Sequence, residues 1–342
     1  MGLNKKVTIK QVAEAAGVST MTVSRVLNRR PDVSPETRRR VQRIIDELGY
    51  APSAIARSLI TGRSNTLGVV STGLEFYGPS RTLMGIEQQA DELGYSLLLN
   101  LMYDPEAERG DEILEALLSH RAAGILWAVP EIGGNRQWLC EQIQTIDTPV
   151  VFLNMQARPC TVTVAVDNRE GGRRATEHLL TQGYRKIGII TGPPTWWESR
   201  QREEGWGEAL RAAGVEDLDP LRAVGDWSPA SGETGLYRLI AQSADLEAVF
   251  SCNDNMALGA MQAARTLGRR IPGDLALVGF DDIPEAAYFH PPLTTVRQGL
   301  SEMGKQAVRL LDQMLRGGVD ADLEPEVRWM TPQLVIRESS ST

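Results

Sequence analysis

Along the first fifty residues apolar side chains recur at helical spacing, whereas from Asn65 onward they gather into short unbroken runs separated by amphipathic stretches. Ile9, Val12, Ala13 and Ala16 share one face of a first helix that Thr8 can cap and Gly17 can end. Ser19 offers a hydroxyl cap to a second helix, Thr20 to Leu27. Its inner side is Val23, Val26 and Leu27, and its first half turns Thr20, Met21 and Arg25 outward. Ser34 followed by Pro35 opens a third helix to Leu48, with Val41, Ile44, Ile45 and Leu48 as its stripe. Gly49-Tyr50-Ala51-Pro52 then breaks the chain, and Ser53 to Gly62 has a helical pattern too short to be stable by itself.

The later runs carry the signature of parallel sheets built from βαβ units, and two sheets are needed. Expected strands of a first lobe are Thr66 to Val70, Ser96 to Leu101, Gly124 to Val129 and Val150 to Leu153. Those of a second are Val162 to Val166, Lys186 to Thr191, Ala248 to Ser251 and Leu275 to Phe280. Helices between them include Leu83 to Leu93, Arg109 to Leu118, Gly171 to Gln182, Arg200 to Ala213 and Met256 to Leu267. A chain of 342 residues is too long for one core, so a helical head followed by an α/β body is the expected organisation.

Charge separates the same two regions. Residues 1 to 64 hold twelve Lys and Arg against five Asp and Glu, a net of +7, while the whole chain carries −8 and the remainder therefore −15. A helix-Gly-helix pattern alone fits an ordinary bundle equally well, but a basic head on an acidic body is the distribution a phosphate backbone would select. In a helix-turn-helix the first half of the second helix enters the major groove. Arg25 suits guanine, whose two acceptors take a bidentate guanidinium, and Thr20 and Met21 add hydroxyl or methyl contacts. Arg38, Arg39, Arg40 and Arg43 supply further charge, each singly no more than a solvated basic face.

Cys140, Cys160 and Cys252 are odd in number, widely spaced and without a C-x-x-C pair, which argues against a disulfide framework or a zinc site and leaves them as packing residues. Met1 to Val7 has no apolar signal core and no stretch approaches a membrane span, so a cytoplasmic protein without a membrane partner is expected. There is no P-loop, H-E-x-x-H or G-x-S-x-G, and His120, His178 and His290 lie in no nucleophile motif, so neither an enzyme nor a cofactor is expected. A glycosidase pair of Asp281 with Asp254 or Glu198 is the distant alternative.

The segments VSTMTVSRVLN and VSPETRRRVQRIIDELGYAPS, with GPSRTL, GPPTWWESRQREEGW, GDWSPASG, NDNMALGAM, GFDDI and PPLTTVRQ further on, resemble the lac repressor family of bacterial transcription regulators almost to the C-terminus. The resemblance implies an all-α helix-turn-helix head (1-49), a hinge (50-64) and an α/β two-lobed periplasmic-binding-protein-like core (65-342) with two parallel sheets in Rossmann-like lobes. Lobe one would take about 65-165 and 293-323 and lobe two about 166-292 and 324-338, with crossings near Val166, Pro291 and Leu323. Also implied are DNA contacts from Thr8, Ser19, Thr20, Met21, Thr22, Ser24, Arg25, Asn28 and Ser34. The hinge, with Ile55 and Ala56, would pair over the minor groove and insert Leu59 as an apolar wedge.

In open α/β sheets ligands bind beyond the carboxyl ends of the strands. Asn154, Asn253 and Asp281 each follow an expected strand, and short amides and carboxylates suit the hydroxyl groups of a polyol. Asp254 reads as a helix cap and Asp282 as a turn former. Arg202, one turn before Trp206, puts a charge on the buried side of its helix, where it needs partners. The family resemblance makes Arg202 a sugar contact and Trp227 an aromatic platform, and adds Phe76, Gly78, Pro79, Thr82, Trp196, Glu198 and Gln298 to the ligand site. Three departures from the galactoside-binding pattern leave the sugar open: Asn154 replaces an acidic residue, Glu198 replaces a small hydroxyl residue, and Trp196-Trp197 adds bulk that either lines the mouth or packs away.

The expected protein is a transcriptional repressor of sugar or glycoside utilisation genes, released from a palindromic operator by a small saccharide. The alternative, as in the purine-responsive branch of the family, is a repressor that its ligand activates as corepressor. One head reads only half a site, so a homodimer is expected, joined by resemblance through Leu83 to Leu93 and the segment near Leu97. No leucine heptads follow Leu334-Val335-Ile336 to add a tetramerising helix.

Overall fold

The computed structural model describes residues 7–27, 30, 32–50, 64–104, 110–133, 135–136, 139–143, 145–317 and 327–341. The chain separates into two compact units, Met1–Asn65 and Thr66–Thr342. In the first, α1 (Ile9–Ala16), α2 (Thr20–Leu27) and α3 (Pro35–Leu48) begin at hydroxyl caps. Thr8 N donates to Gln11 Oε1 (2.8 Å) while Gln11 N donates to Thr8 Oγ1 (3.4 Å), which closes a capping box. Thr22 N donates to Ser19 Oγ at 3.1 Å and Thr37 N to Ser34 Oγ at 3.3 Å. Gly17, with φ of +64°, reverses the chain after α1 without the clash a Cβ would bring. Val12, Val23 and Val41, one from each helix, are fully buried at the centre of a small core; Leu48, expected in its stripe, is exposed.

The second unit runs β1 (Thr66–Ser71), α4 (Tyr77–Leu93), β2 (Ser96–Leu101), α5 (Gly110–Ser119), β3 (Gly124–Ala128), α6 (Leu139–Ile143), β4 (Val150–Leu153) and β5 (Val162–Val166). It continues with α7 (Asn168–Thr181), β6 (Ile187–Thr191), α8 (Trp197–Ala212), β7 (Arg222–Val224), α9 (Pro229–Gln242), β8 (Ala248–Ser251), α10 (Asp254–Thr266) and β9 (Ala276–Asp281). The last elements are β10 (Thr294–Arg297), α11 (Leu300–Gly317), β11 (Val327–Met330) and β12 (Gln333–Val335). The strands form two sheets, one in the order β11-β5-β4-β3-β1-β2 and all parallel, the other β12-β10-β9-β8-β6-β7 and parallel except for β12. Helices cover both faces, which is why inner strands are apolar throughout instead of alternating. In the first sheet Val69, Leu126 and Val151 pack toward α4 and α11, while Val70, Ile125, Trp127 and Phe152 pack toward α5 and α6.

Glycines let helices meet backbone to backbone. A Cβ on Gly85 would fall 2.0 Å from Ser301 O and one on Gly304 2.3 Å from Thr82 O, locking α4 to α11. Gly172 (2.2 Å from Arg202 O) and Gly205 (1.9 Å from Arg169 O) do the same for α7 and α8, and Gly232 and Gly259 for α9 and α10.

The chain passes between the lobes three times, the first near Val166 as expected and the other two at places that differ from those expected. Val162–Val166, expected in the second sheet, is β5 of the first, where it pairs with β4 and β11; a fully buried apolar run looks alike in either sheet. The second crossing follows Arg297 instead of Pro291, because β10 pairs with β9. The third follows Met330, because β11 pairs with β5; Leu323 lies outside the described residues. Lobe one therefore holds 66–166, 300–317 and 327–330, and lobe two holds 168–297 and 333–341. Asp167 N donates to Met330 O at 3.0 Å, joining the first and third crossings.

Cys140 and Cys160, expected to be packing residues, form a disulfide across a Cα separation of 5.7 Å; α6 lies beside the return into β5, a proximity that sequence spacing does not reveal. Cys252 is free and buried. Among the described residues no helix is long and apolar enough to cross a membrane.

Candidate functional site

On the head, the face opposite the core carries the residues expected to meet DNA. Met21 is 65% exposed, Thr20 and Arg25 are exposed, and Thr22 and Ser24 are half-buried. Arg25 Nη1 stands 3.4 Å from Asp32 Oδ2, both half in water, an ion pair weak enough to be exchanged for a base edge. Thr8, Ser19 and Ser34 are the three helix caps, a structural role the hydroxyls hold whatever else they touch. Asn28, Ile55, Ala56 and Leu59 lie outside the described residues.

In the core, a cleft enclosing about 760 Å3, its open mouth included, runs between the two lobes. All twelve residues expected at the ligand site line it. Phe76, Gly78, Pro79 and Thr82 come from the start of α4, Asn154 from the end of β4 and Gln298 from the second crossing. The other lobe supplies Trp196, Glu198 and Arg202 around the start of α8, Trp227 before α9, Asn253 at the cap of α10 and Asp281 at the end of β9. Sequence reasoning missed the remaining lining, which includes Tyr77, Val129, Pro130, Leu153, Asn255, Leu300 and Met303. Tyr77 and Asn255 neighbour expected residues and were within reach of the strand-end rule; the apolar ones read as ordinary core.

Strand ends build the site under strain. Asn154 (φ +47°), Trp227 (+74°), Asp281 (+121°) and Asp282 (+55°) are left-handed without being glycine. Asn and Asp tolerate this region, Trp does not, and each such residue costs of order 1–3 kcal/mol. Packing holds Trp227 in place: a Cβ on Gly192 would fall 2.1 Å from its ring, and Asn253 Nδ2 donates to its carbonyl at 3.0 Å. Trp227 meets Trp196 edge to face at 5.7 Å between centroids, and Trp196 meets Phe76 of the other lobe at 6.3 Å. Trp197, the next residue, turns away and stacks on Trp329.

Arg202 is 6% exposed and anchored through Nε and Nη1. Its Nε donates to Asn168 Oδ1 (2.8 Å), Nη1 donates to Cys252 O and lies 3.8 Å from Asp281 Oδ1, and the guanidinium sits 3.8 Å from the Phe280 ring centroid. Asn168, the first residue after the crossing from β5, was missed; its place beside a crossing is visible only once the sheets are assigned. Burial pushes the Asp281 carboxyl up to about 6, against the pull of Arg202 and the hydrogen bond from Gln298 Nε2. Burial likewise pushes Glu198 up to about 7; Arg202, one turn along α8, and Arg136 oppose the rise, and Glu131 adds to it.

Two sequence readings need correction here. Asn253, not Asp254, caps α10 by accepting from Met256 N (2.8 Å). Asp254 is instead fully buried behind the cleft, taking hydrogen bonds from Thr295 Oγ1 (2.6 Å) and Ile283 N (2.9 Å), with its carboxyl raised by burial first and by the charge of Asp281 next. Asp282 does more than form a turn, since it pairs with Arg297 (2.7 Å) and Arg337 (2.6 Å). Asn154 Oδ1 accepts from Val166 N at 3.0 Å, so this residue holds the first crossing as well as lining the cleft.

A clasp across the mouth was not foreseen. Gly133 N donates to Thr195 O (3.0 Å) and Trp197 N to Glu131 O (2.9 Å), bridging the loop after β3 to the approach of α8. Arg158 holds the Glu131 carboxylate with two hydrogen bonds, at 2.8 and 3.1 Å. Among the described residues no three His, Cys, Asp or Glu side chains gather as metal ligands.

Known proteins share both units. The model for bacterial regulatory proteins of the lacI family matches residues 8–53, and that for a periplasmic binding protein-like domain matches 176–340. The HTH-type transcriptional repressor PurR of Mannheimia succiniciproducens is 35% identical over 334 residues, covering 97% of this chain and 98% of that one. Among solved structures, the lac repressor dimer bound to operator and the anti-inducer ONPF aligns with a TM-score of 0.89 at 30% identity over 99% of this chain and all of the other. The transcriptional regulator CelR in complex with cellobiose aligns at 0.68 and 32% identity over 98% and 100%.

Proposed function

The chain belongs to the lacI family of bacterial regulatory proteins, and on that premise we propose that it is a dimeric, cytoplasmic transcriptional repressor released from a palindromic operator when a small saccharide or glycoside fills its cleft. The observation that carries this reading is the cleft itself. Polar groups able to bind several hydroxyls at once, Asn253, Asp281 and Arg202 among them, converge there beside an aromatic set formed by Phe76, Trp196 and Trp227. The clasp and the residues of both lobes would favour one arrangement of the lobes when a ligand is enclosed, and only such differential binding can shift an equilibrium.

Two heads are needed to read two half-sites in register. The dimer would form on lobe one, where β2 is an edge strand and Met84 on α4 and Leu99 on β2 are exposed. Light scattering at micromolar concentration should report two chains per particle, and a monomer or a stable tetramer would reject this assembly.

A second reading, a corepressor of the purine class, draws on the relative named PurR and on an aromatic-rich cleft that also suits a flat heterocycle. Thermal shift of the full chain against saccharides, glycosides and purines separates the two, since a ligand at about a hundred times its Kd adds roughly 2.7 kcal/mol of stability. Stabilising ligands are then titrated against the protein on an operator selected from random duplexes. Saccharides that stabilise the protein and weaken operator binding are the expected result; stabilisation by purines alone, with tighter operator binding, would replace the first reading by the second. Arg25→Ala, on the same operator, should lose about 1–3 kcal/mol per half-site and relax sequence preference there.

A further inference from the structure

Among the described residues Glu198 makes no ion pair, although the charges of Arg202 and Arg136 both draw its carboxyl down. It is 8% exposed, it lines the cleft, and its Oε2 meets no hydrogen-bond donor among the described residues. The two nearby cations are largely committed elsewhere, although Arg136 Nε has no hydrogen-bond partner among the described residues. Arg202 serves Asn168, the Cys252 carbonyl and Asp281, while Arg136 is turned into lobe one, donating to the carbonyls of Val129 and Asn135 with its guanidinium over the Trp127 ring. The cleft lining therefore holds two carboxylates, Glu198 and Asp281, against one guanidinium. A buried carboxylate left without a counter-charge is costly, and a neutral hydroxyl can give it a hydrogen bond but not a charge. The face of Trp196 nearby is attractive to a cation, while that of Trp227 already carries the Arg202 guanidinium, 5.6 Å from its centroid. Trp227 Nε1, also buried and without an acceptor among the described residues, can take an oxygen from the same ligand.

We infer that the effector is an amine-bearing saccharide, whose protonated amine is taken by Glu198 and one of whose oxygens is taken by the Trp227 indole. This rests on the saccharide reading of the cleft and narrows it. Glu198 is then the residue that sets specificity between amino sugars and their neutral parents. N-acetylation, which removes the charge and adds bulk, abolishes the fit. The raised carboxyl agrees with a group waiting for a cation, since a bound ammonium would return it to the ionised form.

The test is calorimetric and thermal-shift titration of the full chain with glucosamine, galactosamine, mannosamine and deacetylated chitobiose. Each is set against its neutral parent and its N-acetylated form, with purines as a separate arm. At least one amine should bind on the order of tenfold more tightly than its neutral parent and its N-acetyl derivative. In Glu198→Gln, which keeps the shape of the side chain, that preference should shrink to about twofold or less, while Glu198→Asp, which keeps the charge but shortens the reach, should retain part of it. The melting temperature of each ligand-free variant shows that it is folded. Neutral sugars binding as well as amines, or a preference that survives Glu198→Gln, would overturn the inference and leave the saccharide reading standing. Binding of purines with no response to any saccharide would overturn both.

Discussion

Of the side chains that line the cleft, those from lobe one, among them Phe76, Pro79, Val129 and Met303, carry no formal charge, whereas Glu198, Arg202 and Asp281 all come from lobe two. Among the lining residues the strain is divided in the same way, with Trp227 and Asp281 of lobe two in left-handed backbone against Asn154 in lobe one. On the proposed reading, one wall would identify a ligand and the other would cover it. Charged groups hold their geometry only when anchored, and Arg202 has anchors on α7, just after β8 and on β9, while a covering wall needs shape more than anchorage.

The largest effect should come from removing the cation of the identifying wall. Arg202→Ala leaves Asp281 without its buried partner and should cost the core about 3–5 kcal/mol in urea unfolding, together with loss of the effector response. A midpoint within error of the wild type would mean that lobe two is not organised around this residue. Operator binding by the folded fraction should survive, since the head is a separate compact unit.

Protons probe the same wall. Glu198 has a folded pKa of about 7 against an ordinary value near 4.5, so the native state holds its proton more tightly than the unfolded chain does. Its contribution is fully present below about pH 4.5 and is lost as pH rises to about 7, amounting to something on the order of 3 kcal/mol. Asp281, raised to about 6, adds a fall of the same sign. The groups that bias Glu198 are Arg202 on its own helix, its own backbone N–H, and Glu131 and Arg136 from the loop after β3. Unfolding measured at pH 5 and pH 8 should show the ligand-free core more stable at the lower pH as far as these groups govern it, and Glu198→Gln should flatten that difference. An unchanged slope in the variant would reject the assignment.

Glycine substitutions sharpen the contrast further. Gly172→Ala and Gly85→Ala each drive a methyl into a facing backbone and should each cost about 1–3 kcal/mol. The carbonyl that Gly172 abuts belongs to Arg202 itself, so Gly172→Ala should also weaken effector binding the more of the two, as calorimetry on both variants would show. The smallest effect belongs to the covering wall: Phe76→Ala removes one edge-to-face contact with Trp196 and should lower effector affinity by about 1 kcal/mol without shifting the urea midpoint.

Where the sequence was legible, a local rule was at work. Thr8, Ser19, Ser34 and Gly17 announce helix ends through their own chemistry, and Asn253 and Asp281 announce themselves by following apolar runs. Where it was not, the deciding fact was nonlocal. Nothing within Val162–Val166 or Val327–Met330 says which sheet will receive it, because the partner strand settles that. Trp196 and Trp197 are adjacent, yet the start of α8 sends one to Trp227 and the other to Trp329. Cys140 and Cys160 meet only because α6 and the return into β5 run side by side, and Asn168 serves Arg202 only because two helices touch through glycines.

Three strands of chain pass from lobe to lobe, at 166–168, 297–300 and 330–333, and the first and third are tied by a backbone hydrogen bond. A body hung on one thread can swing, twist and slide. One hung on three threads, two of them tied together, has far fewer ways to move, and opening and shutting is the simplest that remains. Whatever molecule settles in the cleft, its size, charge and stereochemistry are thereby compressed into a single angle, and that angle is all the rest of the protein can be told.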